Sequence, residues 1–313
     1  VIDGSGSPAF CADVIVHDGV IVAVGDDAAT TASANHADDQ LDASGLVVAP
    51  GFIDLHTHYD AQVLWDPTLS SSCWHGVTTV IAGNCGFSIA PAAPEHRDLL
   101  VGMLRDLEDM SPETLWAGIS WEFETFGEYL DFVEQQRPYL NFAAFVGHSA
   151  IRIAVMGTEA FEREATTDEI ERMGRLVTDG MAGGAIGVAT STSPTGRNCP
   201  TRHARRSEVV AIMQALSRAG RGVGSFVPGR DIDLASLYEL QPRIGRPFTW
   251  TALLTFDDGR HKERVAVHRS GIKAGADVHP QVSCRRLVAQ ATLTTGFALR
   301  CPAVLELDRA TLA

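Results

Sequence analysis

Lysine is nearly missing from this chain. Of its 313 residues two are lysine, Lys262 and Lys273, against 23 arginines, so chemistry that needs a lysine has two candidates and no more. No apolar run of about 18 residues occurs, and no transmembrane helix is expected. The first ten residues show neither a basic start nor an apolar stretch, so no secretory signal is expected. An initiating Met is lacking as well, and the true N-terminus is expected to lie upstream. Basic runs are absent and the formal net charge is −14, which argues against nucleic acid or an anionic membrane as partner. The six cysteines follow no regular spacing. They read as reduced thiols instead of a disulfide framework, with the cytoplasm as the default location. No Gly-x-Gly-x-x-Gly follows a strand, so a dinucleotide site is not expected.

What is present is organised around Pro50-Gly51-Phe52-Ile53-Asp54-Leu55-His56-Thr57-His58-Tyr59-Asp60. Phe52, Ile53 and Leu55 are residues that fill a buried strand. Asp54, His56, His58 and Asp60 fall on every second position, and a strand points alternate side chains to one face. Two imidazoles so placed can grip one metal ion, with carboxylates orienting or joining them.

Residues 1–50 read as a small β unit. Ala12–His17 and Val20–Val24 flank Asp18-Gly19, a type I′ hairpin signal; Asp26–Gln40 reads as a loop, and Leu41–Val48 as a further strand. Hydrophobic content of 45% supports one large core beyond that unit. From Gly51 onward short apolar strands alternate with helical patterns. The expected strands are 51–58, 77–83, 140–147, 185–190, 222–227, 248–254 and 276–282. Among the helices, Thr166 and Glu169 form a capping box, Ser207 is expected to cap 209–219, and a helix over 258–270 is expected to stop at Gly271. Alternation of this kind implies parallel βαβ units. Seven strands over this length fit a (β/α)₈ barrel better than a doubly wound sheet, with an eighth strand not visible before Ala313. The expected fold class is therefore α/β: an incomplete TIM-like barrel over 51–313 behind a partial β-sandwich over 1–50.

A barrel of this kind gathers its site at the C-terminal strand ends. These offer His56, His58 and Asp60, then Asn84, Cys85 and Gly86, then His148 and Ser149, then Ser191, Thr192 and Ser193, and finally His279 and Gln281. His56, His58 and Cys85 form a borderline-soft N₂S set that suits zinc over magnesium or calcium. The alternative for Cys85 is a small buried hydrophobe, but its place just past a strand end, beside Asn84 and Gly86, favours the ligand. His148 can be a metal ligand, a substrate donor or a core histidine, and His279 is open in the same way. Asp54, Asp60, Asn84, His148, Ser191 and His279 are candidates for touching substrate or supporting the ligands. Cys11, Cys73, Cys199, Cys284 and Cys301 read as structural; His75, His96, His203, His261 and His268 read as surface or helix residues.

Three stretches, Ala49–Ala61, Gly76–Ser88 and Val146–Gly157, resemble the metal-dependent amidohydrolase superfamily, and within it the D-aminoacylase (N-acyl-D-amino-acid deacylase) branch. The lead-in, Ile2–Gly6 followed by Asp13–Gly25, is similar to that family's N-terminal half-sandwich. The resemblance implies a metallo-(β/α)₈ barrel that uses metal-activated water to hydrolyse the linear amide of N-acyl-D-amino acids, small molecules, with zinc as cofactor. It implies His56 and His58 as the first metal pair and Cys85 as the thiolate that stands where relatives use a carboxylated lysine. Its histidines on strands five and six have no counterpart, because Phe226–Gly229 and Leu253–Thr255 occupy those places. The aspartate expected on strand eight, which would move the proton, has no position here either, and the catalytic base is unassigned. Hydrolysis of a cyclic amide, as in dihydroorotases and hydantoinases, and an inactive fragment with partial metal binding are the competing expectations. Oligomeric state is left open.

Overall fold

Strand and helix patterns alternate from Phe52 onward, and the computed structural model, which describes residues 1–25, 39–108, 110–193 and 199–283, converts that alternation into one sheet. Two strands precede it. β1 (Asp13–His17) and β2 (Val20–Gly25) pair antiparallel across Asp18-Gly19. Asp18 has φ 48° and Gly19 φ 75°, the positive values a type I′ turn requires. The strand expected over Leu41–Val48 does not form. The Asp42 carboxylate accepts the Ser44 N–H at 2.9 Å, Leu46 N–H returns to the Ala43 carbonyl, and Gly45 lies at φ 75°. A local Asx turn has displaced the extended chain there. Within the region expected to form a partial β-sandwich, the described residues hold one two-stranded sheet, with Val20, Ile21 and Val22 exposed. The loop expected over Asp26–Gln40 lies mostly outside the described residues, as do Cys284 and Cys301.

The chain divides into two compact units, Val1–Phe52 and Ile53–Ala313. The larger is built on β3 (Phe52–Asp54), β4 (Val77–Ala82), β5 (Asn141–Gly147), β6 (Gly187–Ser191), β7 (Val223–Val227), β8 (Phe248–Trp250) and β9 (Val278–Pro280). These seven strands neighbour one another in chain order, and the ladders from β4 to β9 are parallel. Such an order is what successive βαβ crossovers of one hand produce, and the sheet curls into an incomplete TIM-like barrel. One alternate set of strand residues, Val80, Ala82, Val146, Val188, Phe226, Phe248, Trp250 and Val278, is buried, with Val146 packed against Gly180 of the helix over Thr167–Ala182.

Between the strands run α1 (Arg97–Glu108), α2 (Pro112–Gly118), α3 (Phe126–Gln135), α4 (His148–Met156), α5 (Thr167–Ala182), α6 (Arg206–Arg218), α7 (Leu234–Ile244) and α8 (His261–Lys273). None of the helices described is long and apolar enough to cross a membrane. Their ends are chemically marked. Thr166 and Glu169 cap α5 reciprocally, Thr125 and Glu128 do the same for α3, and Asp233 accepts the Ser236 N–H to start α7. Two expected boundaries move. Ser207 lies inside α6, whose N-cap is Arg205 without a side-chain cap. Helix α8 runs through Gly271 because that glycine is a packing contact: a Cβ there would overlap the Tyr238 ring.

Candidate metal centre

The first strand of the barrel is shorter than its pattern. β3 ends at Asp54, and Phe52, Ile53 and Leu55 are exposed instead of buried, since β3 is an edge of the sheet. Beyond it, hydrogen bonds to the neighbouring strand hold the chain. Thr57 N–H and Oγ1 both donate to the Ile81 carbonyl, at 3.0 and 2.9 Å, and Asn84 Nδ2 donates to the same carbonyl at 2.9 Å. Asp54, His56, His58 and Asp60 therefore do not share a strand face. Asp54 accepts from Ser72 Oγ at 2.7 Å. Asp60 turns inward, 2% exposed, and accepts the Gly83 N–H at 3.0 Å. Burial raises the Asp60 carboxyl to about 7 against the pull of that bond. Asp60 acts as a tie between the two loops that carry the site.

The second loop is the turn after β4. Gly83 lies at φ 75°, Cys85 at φ 57° and Gly86 at φ 83°, so three of four consecutive residues are left-handed. For cysteine this conformation is unfavourable by about 1–2 kcal/mol, and the neighbours enforce it. A Cβ on Gly83 would overlap the Phe145 carbonyl of β5, and one on Gly86 would press within 3.2 Å of the Ala189 carbonyl of β6. Gly83→Ala is accordingly expected to lower stability by at least about 2 kcal/mol, combining positive-φ strain with a backbone clash. Gly102→Ala in α1, where a Cβ meets nothing within 4 Å, is expected to gain about 0.5–1 kcal/mol. Equal thermal midpoints for the two variants would refute this role for the turn.

The two loops bring His56, His58 and Cys85 together. One ligand atom from each lies within 4.8 Å of the others, all three residues half-buried, and no other His, Cys, Asp or Glu group of three among the described residues meets the same condition. His56 Nε2 lies 3.3 Å from Cys85 Sγ, close to the separation of about 3.5 Å between nitrogen and sulfur on one tetrahedral zinc. The His56 and His58 rings meet edge to face with centroids 5.4 Å apart. Burial lowers the His58 pKa to about 3, helped by the charge of His56; burial also lowers that of His56, against the Gln281 hydrogen bond and Asp54. Both rings are neutral at physiological pH, the form in which imidazole binds metal. Two neutral nitrogens and one sulfur fit zinc better than a hard cation.

The remaining candidates fall elsewhere. His148 opens α4 and is fully buried. Its Nδ1 is 2.7 Å from Thr190 Oγ1 and its Nε2 is 2.8 Å from Glu208 Oε1, so both nitrogens are engaged away from the three donors and it takes the core-histidine alternative. Ser191 is buried at the end of β6, accepting the Ser193 N–H at 3.4 Å. His279 is exposed and pairs with Asp277 at 2.8 Å, outside the cluster. At and just past the C-terminal ends of β7 and β8, Phe226–Gly229 and Leu253–Thr255 contain no His, Cys, Asp or Glu and supply no ligand. Lys262 and Lys273 lie on α8. Gln281, offered beside His279 at the seventh strand end without a role, reaches His56. Pattern reading passed over one buried pair. Arg152 and Glu208 form a buried ion pair; the signal was a lone arginine in the apolar run Ala150-Ile151-Arg152-Ile153-Ala154.

With this geometry in place, comparison with known proteins decides the family. A family model described as the amidohydrolase family matches residues 39–290. The chain belongs to the amidohydrolase family. This amidohydrolase is 36% identical over 248 residues to the D-aminoacylase of Alcaligenes xylosoxydans xylosoxydans, covering 79% of this chain and 46% of that protein. It is 39% identical over 191 residues to the N-acyl-D-glutamate deacylase of the same organism, covering 61% and 35%. A solved D-aminoacylase, from work on its binuclear metal centre, superposes with TM-score 0.69 at 34% identity, over 88% of this chain and 55% of that one. The N-acyl-D-glutamate deacylase of Bordetella bronchiseptica, solved with zinc and a phosphonate inhibitor, also gives 0.69, at 27% identity over 88% and 55%. The chain thus spans about half the length of the relatives it matches.

Proposed function

We propose that this amidohydrolase binds zinc through His56, His58 and Cys85 and belongs to an enzyme that hydrolyses the linear amide of N-acyl-D-amino acids. The observation that carries the reading is the convergence of two neutral imidazoles and one thiol from adjacent strand ends. The names of the relatives support the substrate class, and the zinc complex of the deacylase from Bordetella supports the metal. When bound, zinc supplies Lewis acidity that polarises an amide carbonyl and lowers the pKa of water toward neutrality. The residues of this chain do the holding. His56 and His58 present nitrogen lone pairs, Cys85 presents sulfur from a strained turn, and Asp60 with Asn84 fixes the two loops. No acidic side chain joins the three donors among the described residues, so no general base is assigned.

The full chain is expected to retain about one zinc after purification with chelator-free buffers, and to cleave N-acetyl-D-amino acids in preference to their L isomers and to dihydroorotate. Zinc below about 0.2 equivalents per chain would overturn the metal centre, because a folded site with these ligands binds tightly at neutral pH. Turnover of dihydroorotate ahead of the linear amides would overturn the substrate class.

A further inference from the structure

Resting on the metal centre just proposed, we infer that Gln281 is the positioning residue of His56: it selects the ring tautomer that leaves Nε2 available as a ligand. Gln281 Oε1 lies 2.6 Å from His56 Nδ1. An amide oxygen only accepts, so the proton sits on Nδ1 and donates to Gln281. A neutral imidazole carries one ring proton, hence Nε2 keeps its lone pair, and that atom faces Cys85 Sγ at 3.3 Å. The hydrogen bond made by one nitrogen thus decides what the other can do. Gln281 is built to hold still. It is 8% exposed, its N–H donates to the Trp250 carbonyl at 2.9 Å and its carbonyl accepts the Leu253 N–H at 2.9 Å, so both of its backbone polar groups are tied to β8 and its extension. The contact also has a topological consequence. His56 follows β3 and Gln281 follows β9, the two edge strands of the seven-stranded sheet, so one side-chain hydrogen bond links the C-terminal ends of the first and last strands.

The test uses the ¹⁵N-labelled full chain, reading the His56 ring by long-range proton–nitrogen correlation in the metal-free protein and the cobalt(II) affinity by titration of the thiolate charge-transfer band. The wild type is expected to show the Nδ1–H tautomer. Gln281→Leu should release it and weaken cobalt binding by about 10- to 100-fold, the usual effect of removing a group that orients a metal ligand. Gln281→Glu, which keeps an acceptor, should restore both readouts. If the leucine variant does not fold, Gln281→Asn, shortened by one methylene, carries the same expectation. An Nε2–H tautomer in the wild type, or a leucine or asparagine variant with unchanged tautomer and affinity within about 2-fold, would overturn the role of Gln281 alone. A wild-type chain that takes up no cobalt would overturn the metal centre and this role with it.

Discussion

Arg152→Met is expected to lower the stability of the protein by about 3–5 kcal/mol, read as a fall in the urea midpoint, because it leaves the Glu208 carboxylate buried without its counter-charge. Arg152 is fully buried and the Glu208 side chain is 2% exposed. Its Nη1 reaches both carboxylate oxygens, at 2.6 and 2.5 Å, and its Nη2 donates to the Arg163 carbonyl at 2.8 Å. The double variant Arg152→Met with Glu208→Leu should recover most of the loss, since removing both charges removes the desolvation penalty as well. A single variant within about 1 kcal/mol of the wild type would show that the pair is hydrated and not buried. The same cluster sets a pH dependence. Burial holds His148 below its ordinary 6.5. It raises Glu208, but the hydrogen bond and charge of His148, followed by those of Arg152, outweigh burial and leave the carboxyl below 4.5. Both folded-state values are depressed, so the unfolded chain takes up protons first and stability falls as pH drops. The decline starts as His148 titrates in the unfolded state near 6.5 and steepens near 4.5 as Glu208 follows. His148→Gln should flatten the upper part of that decline; an unchanged slope would remove His148 from the account.

Cys85→Ala is expected to weaken zinc binding by more than about 100-fold, since even groups that merely support a ligand contribute 10- to 100-fold and this change deletes one of three donors. The sulfur-to-cobalt charge-transfer band of the cobalt-loaded protein should vanish with it. Cys73→Ala removes a thiol outside the cluster and should leave both readouts alone. A band that survives Cys85→Ala would place the metal elsewhere. The alanine variant should also relieve backbone strain only marginally, because Cys85 stays at φ 57° and alanine tolerates that region no better.

Local chemistry made much of this molecule legible. The hairpin at Asp18-Gly19, the capping box at Thr166 and Glu169, and the seven barrel strands are each set by residues within a few positions of one another, where turn chemistry, capping and side-chain periodicity act. The same holds for naming His56, His58 and Cys85, whose residue types at strand ends already suited a soft metal. Where the reading failed, a competing local bond or a distant neighbour intervened. Asp42 captured Ser44 and broke a strand; Gly271 looked like a helix stop but serves as the seat of Tyr238.

The opening motif shows the division most clearly. Its alternation identified both histidines for a reason that does not hold in the folded chain, because β3 stops at Asp54 and loop hydrogen bonds to Ile81 place the imidazoles instead. Composition and pattern settled the α/β class and the scarcity of lysine and named His56, His58 and Cys85 as candidate donors, all properties carried by short segments. Their convergence, the inward turn of Asp60, the enclosure of His148 by Thr190 and Glu208, and the reach of Gln281 across 225 positions to His56 depend on packing between strands far apart in the chain. Contacts of that range leave no periodic trace, since neither partner's neighbours reveal which residue will meet it.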